Sequence, residues 1–263
     1  GITTPLNTST AKSIWDEANK KLQSADLSVK GILEKSKVFA VGTTDDPADN
    51  LEEHLKIKNG KAAIGTIGTK VVPSFRPDKA LNIDAEGFTE YLSLLGKSAG
   101  ITIQTVEDVC NALESRLDFF IQAGCKASDH ALENPPVPYE NPALEKEQAQ
   151  DALKKALEGK AVSAQEAQVY RAHILVNLAG MYRSKNIVMQ LHFAAIRNNN
   201  PVQLKKLGPD TGYDASHDKS MSYELSKLLA RMELNGGLPK TILYTLNPKD
   251  YYPIGTLMGA FQG

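Results

Sequence analysis

The chain of 263 residues carries 30 basic and 31 acidic side chains, for a net charge of −1, with 41% hydrophobic and 23% charged residues. That balance belongs to an ordinary soluble globular protein, and it leaves no basic excess for nucleic acid and no polybasic run for a membrane surface. No apolar run approaches the roughly 18–20 residues of a membrane span, and Gly1-Ile2-Thr3-Thr4-Pro5 lacks the basic and apolar segments of a signal peptide.

Residues 10–22, with Ile14, Ala18 and Leu22 aligned, and residues 26–36 read as two helices with no strand between them. Residues 1–36 are therefore expected to form a helical segment, the tail of an insertion. The first short β-branched run is Val38-Phe39-Ala40-Val41-Gly42-Thr43-Thr44, and the second is Lys70-Val71-Val72-Pro73-Ser74-Phe75. Asp84 is placed to cap a helix whose Phe88, Tyr91, Leu92 and Leu95 repeat at i, i+3, i+4 and i+7. Val106, Val109, Cys110, Leu113, Leu117 and Phe120 form the next stripe, opening at Thr105 and stopping at Gly124. Gly124-Cys125-Lys126-Ala127-Ser128 is the third strand run. Residues 134–142 hold four prolines and read as a loop before a polar helix over 143–157.

Ser163-Ala164-Gln165-Glu166 is a capping box, opening a helix with Ala167, Tyr170, Ile174, Leu178 and Met181 on one face. Ile187-Val188-Met189-Gln190-Leu191-His192 is the fourth run. A helix with Tyr223, Leu225, Leu228, Leu229 and Met232 closes at Gly236-Gly237, before the fifth run, Lys240-Thr241-Ile242-Leu243-Tyr244-Thr245-Leu246. Asn247-Pro248 caps and starts the last helix. Strand–helix units in series predict an α/β fold whose parallel strands are buried on both faces. An open doubly wound sheet and part of a (β/α)₈ barrel both fit. Cys110 and Cys125 have no metal-site spacing and read as two buried thiols.

In such folds ligands bind beyond the carboxyl ends of the strands. The residues there are polar at every run: Thr43 through Pro47, Arg76-Pro77-Asp78-Lys79, Asp129-His130, His192 through Asn200, and Asn247-Pro248. Asp45, Asp46, Asp78 and Asn247 read as helix caps. Arg76, held by the fixed turn of Pro77, reads as a binding residue. Asp129-His130 fits a capping pair and a functional pair equally. His192 lies in an apolar run, where a core histidine is the usual explanation, but Arg197 and three asparagines follow it and favour function. His54, His173 and His217 are expected on helix or loop surfaces, without a role.

These segments resemble uronate isomerase. The match runs through Thr43-Thr44-Asp45-Asp46-Pro47, Phe75-Arg76-Pro77-Asp78-Lys79-Ala80, Ser128-Asp129-His130, Met189-Gln190-Leu191-His192 and Arg197-Asn198-Asn199-Asn200. It continues through Leu207-Gly208-Pro209-Asp210-Thr211-Gly212 and Leu238-Pro239-Lys240-Thr241. The resemblance implies a (β/α)₈ barrel of the amidohydrolase superfamily that interconverts glucuronate with fructuronate and galacturonate with tagaturonate. It makes the five runs the second to sixth barrel strands, so residues 37–263 would be an incomplete TIM-type (β/α) barrel.

It also implies catalytic roles for Asp129 and His192 and substrate binding by Arg76 and Arg197. The divalent metal, zinc by expectation, would need a His-x-His pair and an Asp-Ser-Arg that this sequence lacks. The chain thus resembles a fragment, inactive alone, in a cytoplasmic enzyme. Its expected partners are a hexuronate and a second copy or other protein covering open barrel edges. A metal-dependent hydrolase on the same barrel and a non-catalytic sugar-acid-binding fragment are the alternatives.

Overall fold

The computed structural model describes residues 1–62, 65 and 67–262. It falls into two units, Gly1–Thr43 with Leu51–Val72, and Thr44–Asn50 with Pro73–Gly263. The elements in chain order begin with α1 (Ala11–Leu22), α2 (Val29–Lys35), β1 (Ala40–Asp45), α3 (Glu52–Lys58), β2 (Lys70–Phe75), α4 (Asp78–Leu81) and α5 (Phe88–Ala99). They continue with α6 (Val106–Ala123), β3 (His130–Ala131), α7 (Pro142–Leu157), α8 (Ala164–Ser184), β4 (Met189–Phe193) and β5 (Ala195–Ile196). The last are α9 (Pro201–Leu207), β6 (Ala215–Ser216), α10 (Ser222–Leu234), β7 (Thr241–Thr245) and α11 (Tyr251–Ala260).

In the first unit two helices precede the first strand, as the apolar spacing predicts. The Ser28 hydroxyl accepts from Gly31 N and opens α2. Gly31 is required there, because a Cβ would lie 2.2 Å from the Ala25 carbonyl oxygen. No residue of α1 is buried, so the stripe of Ile14, Ala18 and Leu22 belongs to no core among the described residues. β1 and β2 form a two-stranded sheet. Lys70 N donates to Phe39 O and Arg76 N to Asp45 O, so both segments advance together and run parallel.

In the second unit the strand pairing is also parallel. Phe75 bridges Ser128, and Ala127 bridges Val188, both in parallel. β3 pairs with β4 through His130 and Leu191, and β4 pairs with β7 over their whole length, with His192 opposite Tyr244. The strands are therefore hydrogen-bonded in chain order, and their carboxyl ends share one edge. Helices cover one face. Phe75 is fully buried and meets Phe120 of α6 edge-on at 5.1 Å and Tyr182 of α8 at 6.4 Å, a preferred aromatic geometry. Capping boxes at Thr105 with Asp108 and at Ser163 with Glu166 start α6 and α8, and Gly124 ends α6 in the left-handed region at φ 109°.

Several expectations change. The third run is not a strand from Gly124: pairing begins at Ala127, because Gly124 is spent closing α6 and Cys125 is packed away. The strands are not apolar on both faces. Met189, Leu191 and Phe193 are buried, whereas His192 is exposed between them, and Ile242 and Tyr244 of β7 are also exposed. Asp84 does not cap α5. That helix starts after Gly87, at φ 78°, and Asp84 pairs with Arg171 instead. Tyr223 stands exposed, with the Lys227 ammonium 4.5 Å from its ring centre, rather than in the core stripe of α10. Both cysteines are free and buried.

Candidate active site

Three of the residues singled out at the strand ends come together. The Asp129 carboxylate joins the other two: its Oδ2 accepts from Arg76 Nη1 at 3.2 Å, and its Oδ1 lies 2.9 Å from His192 Nε2. Alternation along the strand makes this possible. Ser128 and His130 turn into the protein and are fully buried, so Asp129 must face the other way, where β4 presents its one exposed side chain. The carboxylate faces the Nε2 side of the ring, and Nδ1 is the nitrogen turned away from it. The face of the imidazole is occupied too: the Tyr244 ring stacks on it at 4.4 Å and 7°.

Asp78 is not a helix cap. Pro77 precedes α4 without a side-chain cap, and the Asp78 carboxylate instead accepts from Arg76 Nε at 2.7 Å and from Ala131 N at 3.1 Å. Its burial pushes its carboxyl up, and the Arg76 guanidinium pulls it back down. Arg76 is thus held between Asp78 and Asp129, and those carboxylates, acting against its own desolvation, keep its guanidinium above the usual range. Asp46 also leaves the capping role, since its Oδ1 accepts from Ala48 N at 2.9 Å and from the Tyr91 hydroxyl at 3.0 Å. Asn247 does cap, accepting from Lys249 N.

Arg197 is placed differently. After β4 the chain kinks through Ala194 at φ 71°, and Ala195–Ile196 pairs antiparallel with Ala215–Ser216. Arg197 Nη1 donates to Asp214 Oδ2 at 2.7 Å, and its side chain is 54% exposed. It does not touch Arg76 or Asp129 through any hydrogen bond. It shares with His192 a hollow of about 420 Å³ that Asn82, Gln168 and Arg171 also line. The asparagines that followed it are structural: Asn198 sits at φ 51° and accepts from Asp210 N, and Asn200 caps α9.

Sequence reasoning missed Tyr244, Gln190 and Arg171. Tyr244 and Gln190 sat inside strand runs read as core, and Arg171 sits on a helix. Strict alternation from His192 would have placed Gln190 on the site face. The other histidines are not free surface residues. His54 Nε2 lies 2.7 Å from Thr43 Oγ1, His173 Nδ1 lies 3.5 Å from buried Glu145, and His217 is buried with Nε2 2.8 Å from Glu133 O.

His130 lies on the back of the Asp129 strand, fully buried against Tyr182. Burial, then the nearby Arg76 guanidinium, push its imidazole down to about 3. The folded protein thus keeps it neutral where the unfolded chain protonates it, so stability falls as pH drops from the ordinary histidine value of 6.5 toward 3. This one group contributes a slope of about 1.4 kcal/mol per pH unit in that window. Urea midpoints measured from pH 6.5 to 4.5 are expected to fall less steeply for His130→Asn than for the wild type; equal slopes would count against it.

Among the described residues no group of three or more His, Cys, Asp or Glu side chains is placed to hold a metal ion. Asp129 and His192 supply a pair, and Asp129 Oδ2 is already engaged by Arg76. A catalytic zinc takes three protein ligands, so these residues do not fit one by themselves.

A family model described as glucuronate isomerase matches residues 1–263. The chain belongs to the glucuronate isomerase family. It is 47% identical over 98% of its length to a uronate isomerase of Brachyspira hyodysenteriae, and 45% identical over 100% to one of Caldanaerobacter subterraneus. It spans 54% of each of these relatives. The crystal structure of uronate isomerase from Thermotoga maritima superimposes with a TM-score of 0.88 at 33% identity, covering 99% of this chain and 55% of that one. Glucuronate isomerase from Caulobacter crescentus shares the fold at a TM-score of 0.83 and 24% identity, over 95% of this chain and 50% of that one. The glucuronate isomerase family membership and these two structures agree with an α/β fold of parallel strands and helices.

Proposed function

We propose that this chain carries acid–base and binding groups of a hexuronate isomerase, which interconverts D-glucuronate with D-fructuronate and D-galacturonate with D-tagaturonate. The observation that supports this reading best is the line Arg76–Asp129–His192 at the carboxyl edge of the strands, beside a hollow that also holds Arg197. Aldose–ketose isomerisation moves a proton from C2 to C1, and it needs a base near both carbons and stabilisation of the enediolate. His192 is the proton carrier, through the Nδ1 lone pair that Asp129 leaves free. Asp129 fixes the tautomer, and Arg76 holds Asp129. Arg197, half-exposed and held by one carboxylate, takes the uronate carboxylate through its remaining donors.

The same reading makes the strands the second to sixth of a TIM-type barrel in the amidohydrolase superfamily, in a cytoplasmic enzyme whose divalent metal is held by residues outside this chain. Ile242 in β7 and Leu246 just past it are exposed. The remaining barrel, a second copy or another protein covers that edge, because an open strand edge with apolar neighbours invites pairing. The test is to express the complete reading frame and to follow D-glucuronate and D-galacturonate by NMR beside lactone and amide substrates. Fructuronate and tagaturonate are the expected products. Hydrolysis without isomerisation would favour a hydrolase on the same barrel, and binding without turnover a sugar-acid-binding protein.

A further inference from the structure

We propose that Tyr244 is a positioning residue that fixes the imidazole plane of His192. This rests on the reading of His192 as the proton carrier. His192 and Tyr244 are direct partners in the parallel pairing of β4 with β7, so their side chains leave the sheet on the same face. The rings lie 4.4 Å apart and 7° from parallel. Asp129 holds the imidazole at one edge, 2.9 Å from Nε2. That ion-pair contact at one atom does not fix the tilt of the ring. A flat partner on its face removes this rotation and sets the direction of Nδ1.

Tyr244 is itself anchored. Its hydroxyl donates to Gln190 Oε1 at 2.9 Å, and Gln190 Nε2 donates to the Ser128 carbonyl at 3.1 Å. Ser128 immediately precedes Asp129, so the edge contact and the face contact on His192 are referred to the same short strand. Core packing does not account for Tyr244, because it is 40% exposed on the side of the sheet away from the helices. Removing it therefore costs little burial, and an effect on catalysis can be separated from an effect on folding. The aromatic face also favours the imidazolium that forms when His192 holds the substrate proton.

The experiment uses the complete reading frame with Tyr244→Phe and Tyr244→Leu. In NMR spectra the His192 ring protons of the wild type are expected upfield from the ring current of Tyr244. They stay there in Y244F and move downfield in Y244L, with unchanged thermal midpoints. In uronate isomerisation, Y244L is expected to lose about 10-fold in kcat with KM little changed, less than the ~10²-fold of an ångström-scale misplacement, and Y244F is expected to recover most of that loss. An unchanged kcat in Y244L, or a raised KM alone, would overturn the proposal; the second would mark Tyr244 as a substrate contact. His192 signals insensitive to Y244L would overturn it as well. A wild-type protein that isomerises no uronate removes the proton-carrier reading and the catalytic part of this inference, while the NMR signals still decide the stack.

Discussion

The 263-residue chain by itself is expected to show no detectable isomerisation of D-glucuronate, and turnover is expected only together with the further length that its relatives carry. The reason is physical. The chain spans 54% of the length of two curated relatives it matches, and among its described residues no side-chain cluster can hold a metal ion. One imidazole and one carboxylate already engaged by an arginine do not retain a divalent ion against water. His192 is also 46% exposed, so the hollow beside it is open on one side and the enediolate would be solvated by water rather than by fixed dipoles. Losing one positioned donor typically costs ~10²–10³ in rate. An NMR time course at equal active-chain concentration checks this, and comparable turnover by the short and complete forms would mean that the chemistry lies wholly within Arg76, Asp129, His192, Arg197 and their neighbours.

The second large effect is expected at Asp129. In Asp129→Asn the side chain keeps its shape, but its amide can donate to His192 Nε2 and turn the imidazole to the opposite tautomer, moving the proton onto Nδ1. Arg76 loses one of its two carboxylate partners at the same time. The complete enzyme is expected to lose about 10²–10³-fold in kcat, the range found for removing one positioned polar group, with KM changed only a few-fold. The fold should tolerate the change, because the Asp129 side chain lies at the strand edge and packs no apolar core. A variant retaining wild-type kcat would remove Asp129 from the proposed machinery and leave Arg76 and His192 without their link.

The two predictions depend on different levels of information. By itself the sequence determined the alternation of strands and helices, because each helix carries its own signals: the capping boxes at Thr105 and Ser163, the stop at Gly124 and the apolar stripes of α5, α6 and α10 are local features. It also determined that Arg76, Asp129 and His192 lie at or near the carboxyl ends of successive strand runs, since position along a run is a matter of counting, and its motifs carried the family resemblance that the family match over residues 1–263 bears out.

Only the tertiary structure decided what each polar residue faces. Asp78 has the composition of a cap and instead binds Arg76 and Ala131, a partner 53 residues away. His130 and Asp129 are neighbours in sequence, yet one is sealed in the protein and the other stands in the site, because a strand sends successive side chains to opposite faces and only strand pairing says which face is covered. Tyr244 and Arg171 reach the site from elements whose sequence reads as ordinary sheet and helix. Arg197, five residues past Ala131's partner in β4 by way of a backbone kink, is turned toward Asp214 by the β5–β6 pairing rather than toward Arg76. Local propensity acts over a few residues, whereas a site is assembled from segments that meet only when distant strands pair, and that pairing is set by the burial of the whole core.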